Sequence, residues 1–174
     1  MITMENFLLI KEIPGYAPQI SHLVAMMNYA RFTTVEEVKD LSIEQLDFLL
    51  DPESNSIGAL LLHFAAVEYA YQVATFEQRG LNEEELKEWG PALNLGQEGR
   101  DHIRGHQIDY YFAKMEQVRL QTLHYLKSVD DEWLYIEEPF WYNQHANYYF
   151  MWFHVFEDEI NHRGQIRMIR KRLP

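Results

Sequence analysis

The sequence predicts an all-α protein whose architecture is a four-helix bundle with short accessory helices. Four long segments place apolar residues at the i, i+3, i+4 and i+7 positions of amphipathic helices. Proline, glycine and capping residues separate these segments, and no segment shows the alternation of β-branched residues that marks a strand. We therefore expect no β-sheet. A chain of 174 residues has the length of one domain, here residues 1–174.

The first long helix is predicted over residues 19–31, because it follows Pro18 and carries a regular apolar stripe. A separate, shorter helical piece is expected over residues 34–38. Ser42 and Gln45 have capping-box spacing, so another short helix should begin there. The apolar stripe of the first helix consists of Ile20, Leu23, Val24, Met27 and Ala30.

The second long helix is predicted over residues 57–79, and Gly80 is its natural C-terminal stop. Its first half is apolar on most sides, so it should lie at the centre of the core. The apolar run itself, residues 57–66, is too short to span a bilayer, which needs about 20 residues. In the acidic connection that follows, we expect one short helix over residues 82–89.

The third long helix is predicted over residues 108–128, and residues 130–139 are expected to form a loop. Asn143 is the predicted N-cap of the fourth long helix, which should run to about residue 172. Arg163 belongs to a basic group in the last turns of this helix, where cations complement the helix dipole, and we expect it at the surface.

The overall charge and the absence of cysteine exclude several functions. There are 15 Lys and Arg against 27 Asp and Glu, which gives a net charge of −12. Such a surface repels phosphate backbones and anionic lipid, so neither nucleic acid nor a membrane is an expected partner. With no cysteine, disulfides, thiolate metal sites and a cysteine nucleophile are excluded. The N-terminal apolar run, residues 7–10, lacks the flanks of a signal peptide, so a cytoplasmic protein is expected.

Histidines in the second and fourth helices are candidate metal ligands. His154, Asp158 and His162 follow one another at four-residue spacing, which places them nearly on one stripe of a helix. His63 lies in the most apolar part of the second helix, where an imidazole needs a polar partner. Two histidines and one carboxylate form a ligand set used for Zn and non-haem Fe, and Ni or Mn would also fit.

Spacing alone leaves other interpretations open. His102 and His106 form a second pair with the same spacing, and eight histidines on long helices produce such pairs by chance. The alternatives are an exposed helix face or a buried histidine that is hydrogen-bonded to a neighbour.

Two motifs resemble those of the DinB-like superfamily. Residues 158–166 read Asp-Glu-Ile-Asn-His-Arg-Gly-Gln-Ile, which is similar to the C-terminal H-E-x-x-H-R-G-Q-I motif of that superfamily. Residues 55–68 resemble its second-helix signature, including the histidine at position 63. The order and lengths of the predicted helices fit as well, so the resemblance covers most of the chain.

The resemblance implies a DinB-like four-helix bundle, a homodimer, and a divalent metal held by one histidine of helix two and two ligands of helix four. Carried over by position, the ligands are His63, Asp158 and His162. Asp158 stands where the superfamily has histidine. A carboxylate here either ligates the metal or marks a weakened or empty site, and His154 either completes the site or supports it.

Some members of this superfamily are thiol S-transferases, in which a metal activates a small thiol such as bacillithiol or mycothiol. The resemblance therefore implies a metal-dependent transferase that acts on a small-molecule thiol and an electrophile. Its catalytic candidates are His154 and Glu68, which could move protons or orient a ligand. The alternatives are a metal-dependent hydrolase and a non-catalytic dimer that binds metal or a small molecule.

Overall fold

A computed structural model of the chain describes residues 8–174. The prediction that no signal peptide is present rested partly on residues 1–7, which lie outside the described residues. Within residues 8–174 the structure has seven α-helices and one small sheet. Their bounds are α1 Pro18–Val38, α2 Ile43–Leu46, α3 Ile57–Phe76, α4 Glu83–Asn94, α5 Gly96–His102, α6 Ile108–Leu126, β1 Glu137–Pro139, β2 His145–Asn147 and α7 Tyr148–Arg170.

The four long helices α1, α3, α6 and α7 form the bundle, which confirms the predicted all-α fold. The central helix α3 packs against α6 on one side and α7 on the other, and α1 packs against α7. The short helix α4 lies against α3. Ser56 caps α3 by accepting a hydrogen bond from the Ala59 amide at 3.1 Å. The buried part of α3 places His63 in the interior, as its apolar sequence predicted.

Helix α3 is long and apolar enough, by length and composition, to cross a membrane. The apolar stretch is therefore longer than the run of residues 57–66 that the sequence suggested. However, 78% of the qualifying window is buried inside the bundle. The apolar surface of α3 is thus covered by other helices of the chain, as in the core helix of a helical bundle.

Several predicted helix boundaries differ from the observed ones. Helix α1 runs without interruption through residues 31–34, so the two predicted pieces are one helix. Helix α3 ends at Phe76, ahead of Gly80, since the backbone of Gln78 has a left-handed φ of 51°. Helix α4 continues past the predicted end at residue 89 to Asn94, and α5 follows it directly.

The N-terminus of α1 is capped by a residue far along the chain. The Asp131 carboxylate accepts hydrogen bonds from the backbone amides of Gln19, at 2.9 and 3.1 Å, and Ile20, at 3.1 Å. A carboxylate at this position also complements the positive end of the helix dipole. Asp131 begins a 3₁₀ helix, Asp131–Tyr135, in the region predicted to be a loop.

The predicted start of the fourth long helix and the expected absence of strands are both wrong. Asn147, not Asn143, caps α7 by accepting a hydrogen bond from the Phe150 amide at 2.9 Å. The intervening residues form an antiparallel hairpin in which Glu138 pairs with Ala146. Tyr142 and Asn143 both have a φ of 57°, so the chain reverses there and a helix cannot begin.

Candidate metal centre

Three predicted ligands converge between α3 and α7. His63 Nε2 lies 3.3 Å from Asp158 Oδ2, and His162 Nε2 lies 3.4 Å from Asp158 Oδ1. The two imidazole rings meet edge to face, with their centroids 5.0 Å apart. One ligand atom from each residue lies within 4.8 Å of the other two. Among the described residues, this is the group of side chains whose geometry suits a metal ion.

The orientation of His63 is set by a backbone carbonyl of α4. His63 Nδ1 lies 2.7 Å from the Ala92 carbonyl oxygen, which can only accept a hydrogen bond. Nδ1 therefore carries a hydrogen, and in the neutral imidazole Nε2 presents a lone pair toward Asp158. This arrangement is the usual support of a metal-ligating histidine, since the second hydrogen bond fixes both tautomer and ring orientation.

Electrostatic effects hold Asp158 in its charged form. Burial raises the pKa of this carboxyl, but its contacts with His162 and His63 outweigh burial and leave the pKa well below its ordinary range. For His162, burial lowers the pKa, whereas the hydrogen bond and charge of Asp158 raise it above its usual value. A deprotonated carboxylate is the form that ligates a cation.

The donor set fits a divalent cation. One ligand atom from each of the three residues lies within 4.8 Å of the others, and the two imidazoles approach different oxygens of Asp158, at 3.3 and 3.4 Å. Both distances are long for a charge-assisted hydrogen bond, which is about 2.7–2.9 Å. In addition, Asp158 Oδ2 and His162 Nδ1 are buried without a hydrogen-bond partner. The residues present can therefore bind a metal ion, and their geometry does not select among Zn, Ni, Mn and Fe.

His154, the third histidine of the α7 stripe, lies outside this group. Its Nδ1 is 3.0 Å from a carboxylate oxygen of Glu157. Its ring contacts Tyr71 and Trp141 edge to face, with centroid distances of 6.1 and 4.8 Å, and lies parallel to Phe150. The structure thus surrounds His154 with aromatic rings one turn away from Asp158, and its catalytic role stays a prediction.

Glu68, the other catalytic candidate, belongs to a buried ion-pair network. Its carboxylate accepts hydrogen bonds from Arg119 at 2.7 and 3.0 Å and from Arg31 at 3.1 Å. Arg31 also donates to Glu159 at 3.1 and 3.2 Å. Burial raises the pKa of Glu68, but the two guanidinium groups outweigh burial and lower it. The network joins α1, α3, α6 and α7, and a catalytic role for Glu68 likewise stays a prediction.

The observed positions of Arg163, His102 and His106 can be compared with the positions expected from the sequence. Arg163 is buried and donates hydrogen bonds to the Ala30 carbonyl, at 3.0 Å, and to Thr33, so its predicted position at the surface is wrong. His102 is exposed on α5, with Nδ1 2.9 Å from the Glu98 carbonyl. His106 stacks on Tyr110 at a centroid distance of 3.9 Å.

Sequence reasoning missed the Ala92 carbonyl, because every residue except proline carries the same backbone acceptor. The Ala92 carbonyl is available to His63 only because helix α4 ends close to it, and the alanine side chain gives no indication of that helix end.

Comparison with known proteins agrees with the resemblance in the two motifs. A family model described as mycothiol S-transferase matches residues 22–174, a range that contains His63, Asp158 and His162. No curated protein matches the chain.

Proposed function

The chain belongs to the mycothiol S-transferase family, and we propose that it is a metal-dependent thiol S-transferase. The convergence of His63, Asp158 and His162 on one point, with His63 oriented by the Ala92 carbonyl, carries this proposal. These three residues would hold a divalent cation. Three protein ligands would leave a coordination position free for a substrate, which is typical of catalytic rather than structural metal sites.

A divalent cation held by these residues would lower the pKa of a bound thiol, so that the thiolate would be available at neutral pH. His63 and His162 supply neutral nitrogen ligands, and Asp158 supplies one negative charge. The side chains of the three residues are 10%, 18% and 16% exposed, so the site is largely shielded from bulk water but still reachable.

The thiol must come from a co-substrate, because the chain contains no cysteine. In the proposed reaction the thiol releases its proton to solvent, its sulfur forms a bond to the carbon of an electrophile, and the leaving group departs from that carbon with the electron pair of the broken bond. The name of the family favours mycothiol, a low-molecular-weight thiol, as this co-substrate.

The metal site is tested by measuring metal content after purification without a histidine tag. We expect one divalent ion per chain in the natural protein and its loss in His63→Ala and Asp158→Ala. His102→Ala is the matched control, because His102 also bonds a backbone carbonyl through Nδ1 but has no acidic partner at Nε2 among residues 8–174. Unchanged metal content in both site variants would refute the proposed site.

The reaction is tested by following mycothiol and an alkylating electrophile together in the metal-loaded protein. We expect one thioether to form for each thiol consumed, with the rate lost in His63→Ala and kept in His102→Ala. Consumption of the electrophile without consumption of thiol would contradict the transferase proposal and indicate a metal-dependent hydrolase instead.

Assembly and location are proposed from the family resemblance. We propose a cytoplasmic homodimer, and light scattering on the purified protein should then give twice the chain mass of 20.9 kDa. A mass of 20.9 kDa at micromolar concentration would contradict the dimer.

A further inference from the structure

The junction between α4 and α5 has an unusual backbone. Helix α4 ends at Asn94, and its C-cap residue, Leu95, has a φ of 53° and a ψ of −145°, far from helical values. Leucine rarely adopts a positive φ, and such conformations cost about 1–3 kcal/mol unless the surroundings hold them. The next residue, Gly96, donates its backbone amide hydrogen to Asn55 Oδ1 at 2.9 Å. Asn55 therefore supports this junction from a loop that lies 41 residues earlier in the chain.

The junction decides which group the Ala92 carbonyl binds. In a continuous α-helix, the carbonyl of residue 92 accepts its hydrogen bond from the amide of residue 96. Here that amide points to Asn55, and the Ala92 oxygen instead accepts a hydrogen bond from His63 Nδ1 at 2.7 Å. The interruption of the helix thus frees the carbonyl that orients the histidine.

Asn55 also immediately precedes the N-cap of the helix that carries His63. Ser56 caps α3, and its hydroxyl oxygen accepts from the Ala59 amide. The same short segment therefore sets the start of α3 and the end of α4, the two elements that meet at His63. A second tie joins this segment to α5, because Arg100 donates to the Glu53 carbonyl at 2.7 Å.

We infer that Asn55 is a positioning residue for the metal site: by holding the Gly96 amide, it keeps the Ala92 carbonyl available to fix the tautomer and orientation of His63. This inference rests on the proposed function only in that His63 is taken as a metal ligand. Without the side-chain oxygen of residue 55, the Gly96 amide lacks its acceptor. In regular helical geometry the acceptor of this amide is the Ala92 carbonyl, so a junction that relaxes toward a continuous helix makes the amide compete with His63 Nδ1 for that oxygen.

The experiment compares Asn55→Ala, Asn55→Asp and Asn82→Ala with the natural protein. Asn55→Asp keeps an oxygen acceptor for the Gly96 amide. Asn82→Ala is the matched control, because Asn82 caps the opposite end of α4 and accepts from the Glu85 amide at 2.9 Å. The tie between Arg100 and Glu53 remains in all variants, and circular dichroism establishes that each variant is folded.

Two quantities are measured: the affinity for Zn²⁺ by calorimetry, and the tautomer of His63 in metal-free protein from the ¹⁵N shifts of its imidazole. We expect Asn55→Ala to bind Zn²⁺ about 10–100-fold more weakly, as is typical when a supporting hydrogen bond of a ligand is lost. We also expect a mixture of His63 tautomers in this variant. Asn55→Asp and Asn82→Ala should keep the natural affinity and the pure Nδ1–H tautomer.

The outcomes separate this inference from the proposed function. Natural Zn²⁺ affinity and a pure Nδ1–H tautomer in Asn55→Ala would overturn the role of Asn55, even with the metal site intact. If the natural protein binds no metal, the proposed function fails, and with it the role of Asn55 toward a metal. In that case, a changed His63 tautomer in Asn55→Ala, with the natural tautomer kept in Asn55→Asp and Asn82→Ala, would still support the role of Asn55 in orienting His63.

Discussion

Replacing Glu68 by glutamine tests whether the buried ion-pair network stabilises the bundle. Glu68 is fully buried, and its partners Arg31 and Arg119 are only 13% and 8% exposed. Glutamine keeps the shape of the side chain but removes the charge, and its amide group would direct N–H donors at guanidinium groups that are donors themselves. Arg119 would also lose the carboxylate that accepts its two shortest hydrogen bonds, at 2.7 and 3.0 Å.

The expected loss of stability follows from the degree of burial. Removing one partner of a buried ion pair costs about 3–5 kcal/mol, whereas exposed pairs contribute about 0–1 kcal/mol. For a chain of this size, a loss of 3–5 kcal/mol lowers the melting temperature by about 6–20 °C. Glu88→Gln is the matched control, because Glu88 pairs with Lys114 at 2.8 Å on the surface, and it should lower stability by less than 1 kcal/mol.

The assay is urea unfolding followed by circular dichroism at pH 7, with metal content and transferase activity measured on the same samples. If the free energy of unfolding decreases no more in Glu68→Gln than in Glu88→Gln, the stabilising role of the network is refuted. Full stability together with lost activity would support the catalytic role that the sequence suggested for Glu68.

Three further predictions concern pH, packing and metal. The pKa of Glu68 is lower in the folded protein than in the unfolded chain, so the charged carboxylate stabilises the fold above the unfolded pKa of about 4.3, and this stabilisation is lost as the pH falls from there toward the folded pKa. Urea unfolding at a series of acidic pH values should show a decreasing free energy of unfolding, and the decrease should be smaller in Glu68→Gln. Gly58→Ala should cost about 1–3 kcal/mol in thermal unfolding, since the new Cβ would lie 2.5 Å from the hydroxyl oxygen and 2.8 Å from Cζ of Tyr111. An equal loss in a Tyr111→Leu background, which lacks both atoms, would contradict this cause. Zn²⁺ at 100 times its dissociation constant should stabilise the natural protein by about 2.7 kcal/mol, and an equal gain in His63→Ala would place the metal elsewhere.

The sequence predicted those features of the site that depend on local periodicity. Asp158 and His162 were expected on one stripe of a helix because four-residue spacing brings side chains together on any α-helix. The partnership with His63 is a long-range contact, and periodicity alone could not pair it with α7. The resemblance in the two motifs supplied that link, and the structure places the three side chains together.

Features that depend on long-range hydrogen bonds were missed. The cap on α1 comes from Asp131, more than 100 residues away, so no local pattern could reveal it. The C-cap of helix α4 is Leu95, and leucine is a residue type that normally continues a helix. Arg163 lies near the end of α7, where arginine is commonly exposed. It is buried because that face of α7 packs on α1, whose Ala30 carbonyl accepts its hydrogen bond.

The aspartate at position 158 changes what the site does before a cation arrives. Three neutral histidines would direct lone pairs at one another, and nothing in such a set would hold the rings together without metal. Asp158 instead lies 3.3 Å from Nε2 of His63 and 3.4 Å from Nε2 of His162, and its negative charge attracts the protonated form of the His162 ring. Its charge also offsets one of the two charges of a divalent ion, which lowers the cost of placing that ion between buried helices. The departure from the histidine of the superfamily is therefore compatible with a metal site, because the carboxylate supplies charge to a ligand set whose His63 is already oriented by the Ala92 carbonyl.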